Sequence, residues 1–359
     1  MPDREVLLKI LDLARWAPSG DNTQPWRFEL AGGDRVLVHG HDTREWCVYD
    51  FRGHASHMAH GALLETLRIA ASGHGCDASW RLLPGCPDSA PVYEVSVNRS
   101  ERPADPLFPF IEERVVQRRP MRMRPLSDDE MRTLAAAVGR EYRVQFFGSL
   151  RERVAVARLL WKSAYIRLAC PEAYEVHRRI IAWGARFSED RIPEQAVGVD
   201  FLTARLMQWV LGSWRRVRFF NRYLAGTVLP RMQLDLLPGV RCAAHVALRP
   251  RMRLQEHPDY VHAGVALQRL WLTATSLGLH LQPQMTPVIF RWYCRAGASL
   301  SASAGLDGRV RDLAGQFEAL AGMQEHEPLC FFCRVGESSA PKSRSLRKAV
   351  RDLLSDGGR

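Results

Sequence analysis

Two widely separated stretches of this chain echo one another, and that echo constrains the fold more than any other feature. His60 to Gly75 and Ala263 to Gly278 each place a glycine at the second position and continue with apolar residues spaced by three and four. Each ends in a glycine suited to a helix C-cap. The first predicts a helix over 61–72 burying Leu63, Leu64, Leu67, Ala70 and Ala71. The second predicts one over 264–277 burying Leu267, Leu270, Trp271 and Ala274. Apolar strand material follows both: Val92 to Val97 after the first and, past a longer gap, Leu329 to Val335 after the second. The simplest reading is an α+β unit duplicated within one chain. The proline-rich stretch Arg102 to Pro109 marks the join, giving a first half over 1–106 and a second over 107–359.

Other segments fill in around this pair. Glu5 to Trp16 has helical spacing, with Val6, Leu7, Ile10, Leu11 and Leu13 on its apolar side. Arg35 to Val38, Val144 to Phe147 and Cys242 to Leu248 read as strands. Ser127 and Glu130 have the spacing of a capping box and open a further helix. A long, mainly helical stretch over about 150–240 holds Trp161, Trp183, Trp209 and Trp214, and has no counterpart in the first half. It reads as an insertion in the second half, whose tryptophans and Met207 either roof a pocket or bury helices.

The chain of 359 residues is 46% hydrophobic and 25% charged, enough for a sizeable core and unlike a disordered composition. No apolar run reaches the ~18 residues of a membrane span. The eight cysteines are scattered among apolar neighbours and no apolar leader is visible, so reduced thiols in a cytoplasmic protein are expected. The net charge of +11 comes from dispersed arginines, since Lys9, Lys162, Lys342 and Lys348 are the only lysines. No zinc finger, RNA-binding sheet motif or basic tract concentrates that charge, so neither nucleic acid nor membrane is an expected partner.

Chemistry can sit in the string from Ala14 to Phe28. It reads as a helix end followed by a turn, with main-chain amides exposed around Ser19 and Gly20 where a planar ligand can approach closely. Asn22 and Gln24 offer paired donors and acceptors for a ring edge or a ribityl hydroxyl. Taken alone, the string is equally a structural turn with Trp26 and Phe28 in the core.

The string resembles the Pro-Ser-x-x-Asn-x-Gln-Pro-Trp signature of the FMN-dependent nitroreductase family, through Pro18, Ser19, Asn22, Gln24, Pro25 and Trp26. Three further segments are similar to parts of that family's flavin site. Arg118-Arg119-Pro120-Met121-Arg122, expected at the end of a helix from about Phe110, resembles the basic element that holds the FMN phosphate, with Pro120 where a serine is usual. Lys342 and Arg344 resemble the family's terminal Lys-x-Arg phosphate contact. Gly278 to Gln284 resembles the Gly-Leu segment facing flavin N5. The resemblance implies FMN bound by Pro18, Ser19, Gly20, Asn22, Arg118, Arg119, Arg122, Gln282, Pro283, Gln284, Lys342 and Arg344, with no obligate catalytic side chain and no metal.

In that family the flavin lies between two subunits, one supplying the Pro-Ser-x-x-Asn turn and the other the basic element, the Gly-Leu segment and the tail. Here the first half has only the turn and the second has only the other three, which implies a nitroreductase-like pseudo-dimer with one complete flavin site. The implied reaction passes hydride between NAD(P)H, flavin N5 and a small nitro, quinone or conjugated-alkene acceptor. The insertion points to a restricted substrate, and the resemblance to two-half relatives found with adenylating domains implies a biosynthetic tailoring role with an adenylating enzyme as partner. The chain would act as a monomeric pseudo-dimer or a homodimer of it. The alternative is a flavin-storage protein with a closed lid. Cys330 and Cys333 have CxxC spacing but no second pair, and read as core. His54, His57 and His60 share one helical face without an acidic or cysteine partner, and read as helix-start residues on a polar face.

Overall fold

The computed structural model describes residues 2–355. Helix α1 (Arg4–Ala14) begins at Asp3, whose carboxylate accepts the Val6 N–H at 2.9 Å. Strands β1 (Trp26–Leu30) and β2 (Arg35–Gly40) form a hairpin, α2 (His54–Gly73) crosses over, and β3 (Cys76–Leu82) and β4 (Val92–Arg99) complete an antiparallel sheet of order β1-β2-β4-β3. The second unit opens with α3 (Asp128–Ala137), where Ser127 and Glu130 form the predicted capping box, and β5 (Tyr142–Phe147).

A helical excursion then interrupts it. It comprises α4 (Leu150–Ala169), α5 (Pro171–Ile180), three two-residue strands β6 (Ile181–Ala182), β7 (Phe187–Ser188) and β8 (Ile192–Pro193), then α6 (Phe201–Val210), α7 (Trp214–Tyr223), α8 (Val228–Arg231) and α9 (Leu237–Val240). The unit resumes with β9 (Ala244–Pro250), α10 (His257–Ser276) and β10 (His280–Pro283). Helices α11 (Thr286–Arg295) and α12 (Leu306–Ala321) lead to β11 (Phe331–Gly336), and a tail carries β12 (Arg344–Ser345) and α13 (Val350–Leu353).

The second sheet has the order β10-β11-β9-β5, antiparallel throughout. With β5, β9, β10 and β11 in the places of β1, β2, β3 and β4, the two sheets have one topology. The two long helices meet reciprocally. A Cβ on Gly61 would collide with the Val261 carbonyl, and one on Gly264 with the Met58 carbonyl, so each glycine packs against the residue three positions before the other. Buried Gln268 donates to Thr66 Oγ1 at 2.8 Å beside this crossing.

Several expectations change. No helix runs from Phe110 to the basic segment. A short 3-10 turn, Phe108–Phe110, gives way to extended chain that bridges β10 at Val116 and Leu281. Pro109 and Pro120 bracket the stretch, and the bridge takes backbone bonds a helix would have used. His57 and His60 are buried, not on a polar face, and their Nε2 atoms donate to the Asp88 and Pro25 carbonyls at 2.9 and 2.8 Å; His54 stacks on Tyr260. Cys330 and Cys333 are buried core residues. β1, β3 and the α11–α12 pair were not anticipated.

The two cores also trade residues across the sequence. Leu107 and Ile111 pack in the first core, and so does Leu353 from the tail, while Phe51 and Met58 pack in the second. Among the described residues no helix is long and apolar enough to cross a membrane, and no group of His, Cys, Asp or Glu is placed to hold a metal.

Candidate functional site

A cavity of about 610 Å3 lies between the two units, roofed by the excursion and edged by the tail. That size suits a cofactor or small ligand. Its lining brings together residues from far apart in sequence: the loop after α1, the segment before α3, β10, and the tail.

The loop after α1 is strained. Asp21, Asn22 and Gln24 have φ of 53°, 64° and 49°, left-handed values that non-glycine residues rarely adopt. Each costs about 1–2 kcal/mol unless the surroundings impose it. Two buried amides impose it here. Asn22 Nδ2 donates to the Glu189, Arg191 and Leu346 carbonyls, and Gln24 Nε2 donates to the Asn22 and Glu189 carbonyls. Gln24 Oε1 accepts the Lys348 N–H, and Ser19 Oγ accepts the Gln24 N–H. The loop is thereby bound to the excursion and to the tail. Asn22 Oδ1 is buried without a partner.

One end of the cavity is cationic. Arg114, Arg344 and Arg347 all line it, and their hydrogen bonds go to main-chain carbonyls: Arg114 to Trp16, Arg344 to Glu112, Arg347 to Ala17. Among the described residues no carboxylate comes within ion-pair distance of any of the three. Burial, then mutual repulsion with Arg347 and Arg344, holds Arg114 well below the usual guanidinium range. Burial, then Arg344 and Arg15, lowers Arg347 to about 9. The Nε atoms of Arg114 and Arg344 are buried without partners. Three desolvated cations with spare donors form a site for a phosphate or carboxylate.

A second polar cluster on the lining joins neutral groups to opposed charges. Tyr49 Oη and His177 Nε2 are 3.0 Å apart; burial, then Arg167, lowers His177 to about 3, and burial raises Tyr49 well above the usual phenol range. Burial raises the Asp21 carboxyl, opposed by Arg118 and Arg167, and burial lowers Arg118, opposed by Asp21. Arg167 pairs with Asp235 at 3.0 Å.

Of the residues singled out from the sequence, Pro18, Ser19, Gly20, Asn22, Arg118, Gln282, Pro283, Gln284 and Arg344 line this cavity. Arg119, Arg122 and Lys342 do not line it. Arg119 is exposed and reaches toward the Val199 carbonyl, Arg122 is exposed and pairs with Glu337 at 3.6 Å, and Lys342 is exposed. Arg119 follows Arg118 directly in extended chain and so points to the opposite side, whereas Arg122 lies beyond the bend at Arg119 and Pro120, where its N–H donates to the Glu337 carbonyl at 2.8 Å and holds it against that residue. Buried Arg334 on β11 fixes that path by donating to the Gln117, Arg118 and Arg119 carbonyls. Gln284 Oε1 is engaged by His245 Nδ1 at 2.8 Å, whereas Gln282 Oε1 is buried and unpartnered. Arg114 and Arg347 escaped the sequence reading, although each lies within four residues of a basic residue it had named, Arg118 and Arg344. Of the excursion's side chains, Met207 lines the cavity, Trp161 stacks under Arg231, and Trp209 is exposed.

Partial structural likeness is found to a nitroreductase with bound FMN from Desulfitobacterium hafniense DCB-2, with TM-score 0.37, 15% identity, 70% of this chain and 97% of that one. A second is the FMN-dependent nitroreductase NfnB from Mycobacterium smegmatis in complex with NADPH, with TM-score 0.36, 15% identity, and 68% and 95% coverage. In sequence, the chain is 25% identical over 353 residues to an uncharacterized protein of Mycobacterium tuberculosis (strain CDC 1551 / Oshkosh), covering 92% of this chain and 46% of that protein. The chain thus spans about half the length of this curated relative. Its residues 1–38, which include the strained loop, match the family model described as Nitroreductase family.

Proposed function

We propose that this chain is a flavin-dependent oxidoreductase of the nitroreductase kind, holding one FMN in the cavity between its two units. The observation that carries the reading is the coincidence, in one cavity, of three carboxylate-free guanidiniums with the strained loop lying inside the family-model match. The chain's polar groups suit the cofactor: spare donors for a phosphate at one end, and unpartnered Asn22 Oδ1 and Gln282 Oε1 between apolar walls for a polar-edged ring. Bound FMN supplies a two-electron carrier that takes hydride from NAD(P)H and yields it to a nitro, quinone or conjugated-alkene acceptor.

The chain's own residues do the rest. Arg114, Arg344 and Arg347 bind the phosphate, with Arg118 further along the wall. Ser19, Gly20 and the Gln282–Gln284 segment flank the ring, and the excursion shields it from water. In this reading the halves, 1–106 and 107–359 with the excursion at about 150–240, descend from one duplicated unit and act as a pseudo-dimer in the cytoplasm, alone or as a homodimer. The shared sheet topology and the reciprocal glycine crossing support that descent. A tailoring role beside an adenylating enzyme follows from the resemblance alone.

The tied-down roof favours a second reading, flavin storage with little turnover, because Asn22 and Gln24 fasten the excursion at Glu189 and Arg191. One experiment separates the two. The purified chain should carry one FMN per polypeptide, bleach anaerobically with NADH or NADPH, and recover colour on adding a quinone. Colour that neither reductant bleaches selects storage, and failure to bind FMN overturns both.

A further inference from the structure

The helix pair that roofs the cavity carries large apolar side chains on both its inner and its outer face. Met207, Val210, Leu211 and Phe220 look inward onto the cavity, while Phe201, Leu202, Trp209, Phe219 and Tyr223 are exposed, Leu202 to 76%. Clustered exposed aromatic and leucine side chains mark a surface that another apolar surface covers. The charge on this pair has a single sign. Arg205, Arg215, Arg216, Arg218 and Arg222 are exposed, and no Asp or Glu occurs between Phe201 and Leu234. The flanking acid, Asp200, is engaged in capping α6 through Thr203. The guanidiniums sit on the exposed rings: Arg205 on Phe201, Arg216 on Trp209 and Arg222 on Tyr223, at 5.2, 4.6 and 5.4 Å. Leu206, Leu224 and Leu229 both line the cavity and are about half exposed, so its mouth opens within this patch.

We propose that the α6–α7 face docks on an anionic lipid surface, with its aromatic and leucine side chains entering the headgroup boundary and its arginines paired with lipid phosphates. Aromatic and aliphatic side chains beside arginines, without acids, are the composition of helices that lie in a membrane interface. The observations disfavour a second copy as occupant. A two-fold contact would set this patch against itself and oppose five arginines with five, with no acid in the patch to pair them. The attachment is peripheral, needs no spanning helix, and departs from the sequence-level expectation of no membrane partner. It turns the cavity mouth toward the bilayer, so lipophilic molecules enter without crossing water.

The test is co-sedimentation of the full chain with vesicles of phosphatidylcholine alone or mixed with phosphatidylglycerol. The chain is expected to sediment with the mixed vesicles, to remain in solution with phosphatidylcholine alone, and to be released by salt. Two variants, neither touching cavity-lining residues, are compared after circular dichroism shows them folded. Leu202→Ser/Trp209→Ser/Phe219→Ser and Arg215→Glu/Arg218→Glu should each reduce the bound fraction by about tenfold or more. No binding to the mixed vesicles overturns the proposal. So does loss in the charge variant alone, which would mean adsorption without insertion. A dimer in light scattering that the apolar variant dissociates also overturns it, assigning the face to a second copy. Flavin content is read separately, so failure here is distinct from failure of the flavin reading.

Discussion

Asn22 and Gln24 are conspicuous in the sequence because they belong to a long motif, and the motif suggested ligand contacts. Their amide nitrogens instead hold a left-handed loop in place by binding carbonyls from two other parts of the chain. A sequence reveals that such residues matter and hides whether they touch the ligand or the loop around it. Arginines pose the same problem: the bend at Arg119 and Pro120 carries Arg122 away from the cavity that Arg118 lines, and the expected helix obscured that bend. Arg344 and Arg122 now separate clearly. Arg344→Glu places a carboxylate among Arg114, Arg347 and the phosphate, and should weaken FMN binding about ten- to a hundredfold, since a charge-assisted hydrogen bond contributes about 1.5–3 kcal/mol. Arg122→Glu, on the surface beside Glu337, should leave FMN affinity nearly unchanged. Flavin fluorescence titration of the two variants checks both, and equal losses would return Arg122 to the site.

Among the elements, the helices were the legible part. The apolar spacing of α2 and α10 and the capping of α3 are local features that survive into the structure with their ends extended. β1 and β3 were missed because Trp26–Leu30 sat inside the motif and Cys76–Leu82 carries few β-branched residues. The repeat glycines have a meaning the sequence could only hint at, since Gly61 and Gly264 let two backbones touch. Gly61→Ala would ordinarily favour a helix, but its methyl would strike the Val261 carbonyl, and we expect a loss of about 2–3 kcal/mol from overpacking. Gly315→Ala on the solvent-facing side of α12 meets nothing within 4 Å and should instead add about 0.5–1 kcal/mol of stability. Urea unfolding of the two variants should give shifts of opposite sign.

For the molecule as a whole, the two-unit plan followed from the echo, and the length of the excursion from its want of a counterpart. What stayed hidden was the seam: which side chains from distant segments share a cavity is a property of tertiary packing and leaves no periodic trace. Buried histidines set the acid response. Burial lowers His54, His60 and His177 to about 3, and His245 and His257 to about 4, from an ordinary 6.5. The unfolded chain therefore takes up protons first as pH falls. Their contribution to stability is complete above about pH 6.5 and is lost progressively toward pH 4 and below. Thermal unfolding should show the midpoint falling steadily across that interval, and a flat profile would mean these imidazoles are hydrated in solution.

A single carboxamide, that of Asn22, fastens two otherwise separate pieces of chain, the excursion at Glu189 and Arg191 and the tail at Leu346. The tail is also fastened to the lid directly, since β12 pairs with β7 and the Leu346 N–H donates to the Ser188 carbonyl, so the segment bearing Arg344 and Arg347 is held by both. In the proposed flavin reading, loading the cofactor by raising this lid would therefore be one concerted unlatching, in which the excursion and the arginine-bearing tail part from Asn22 together.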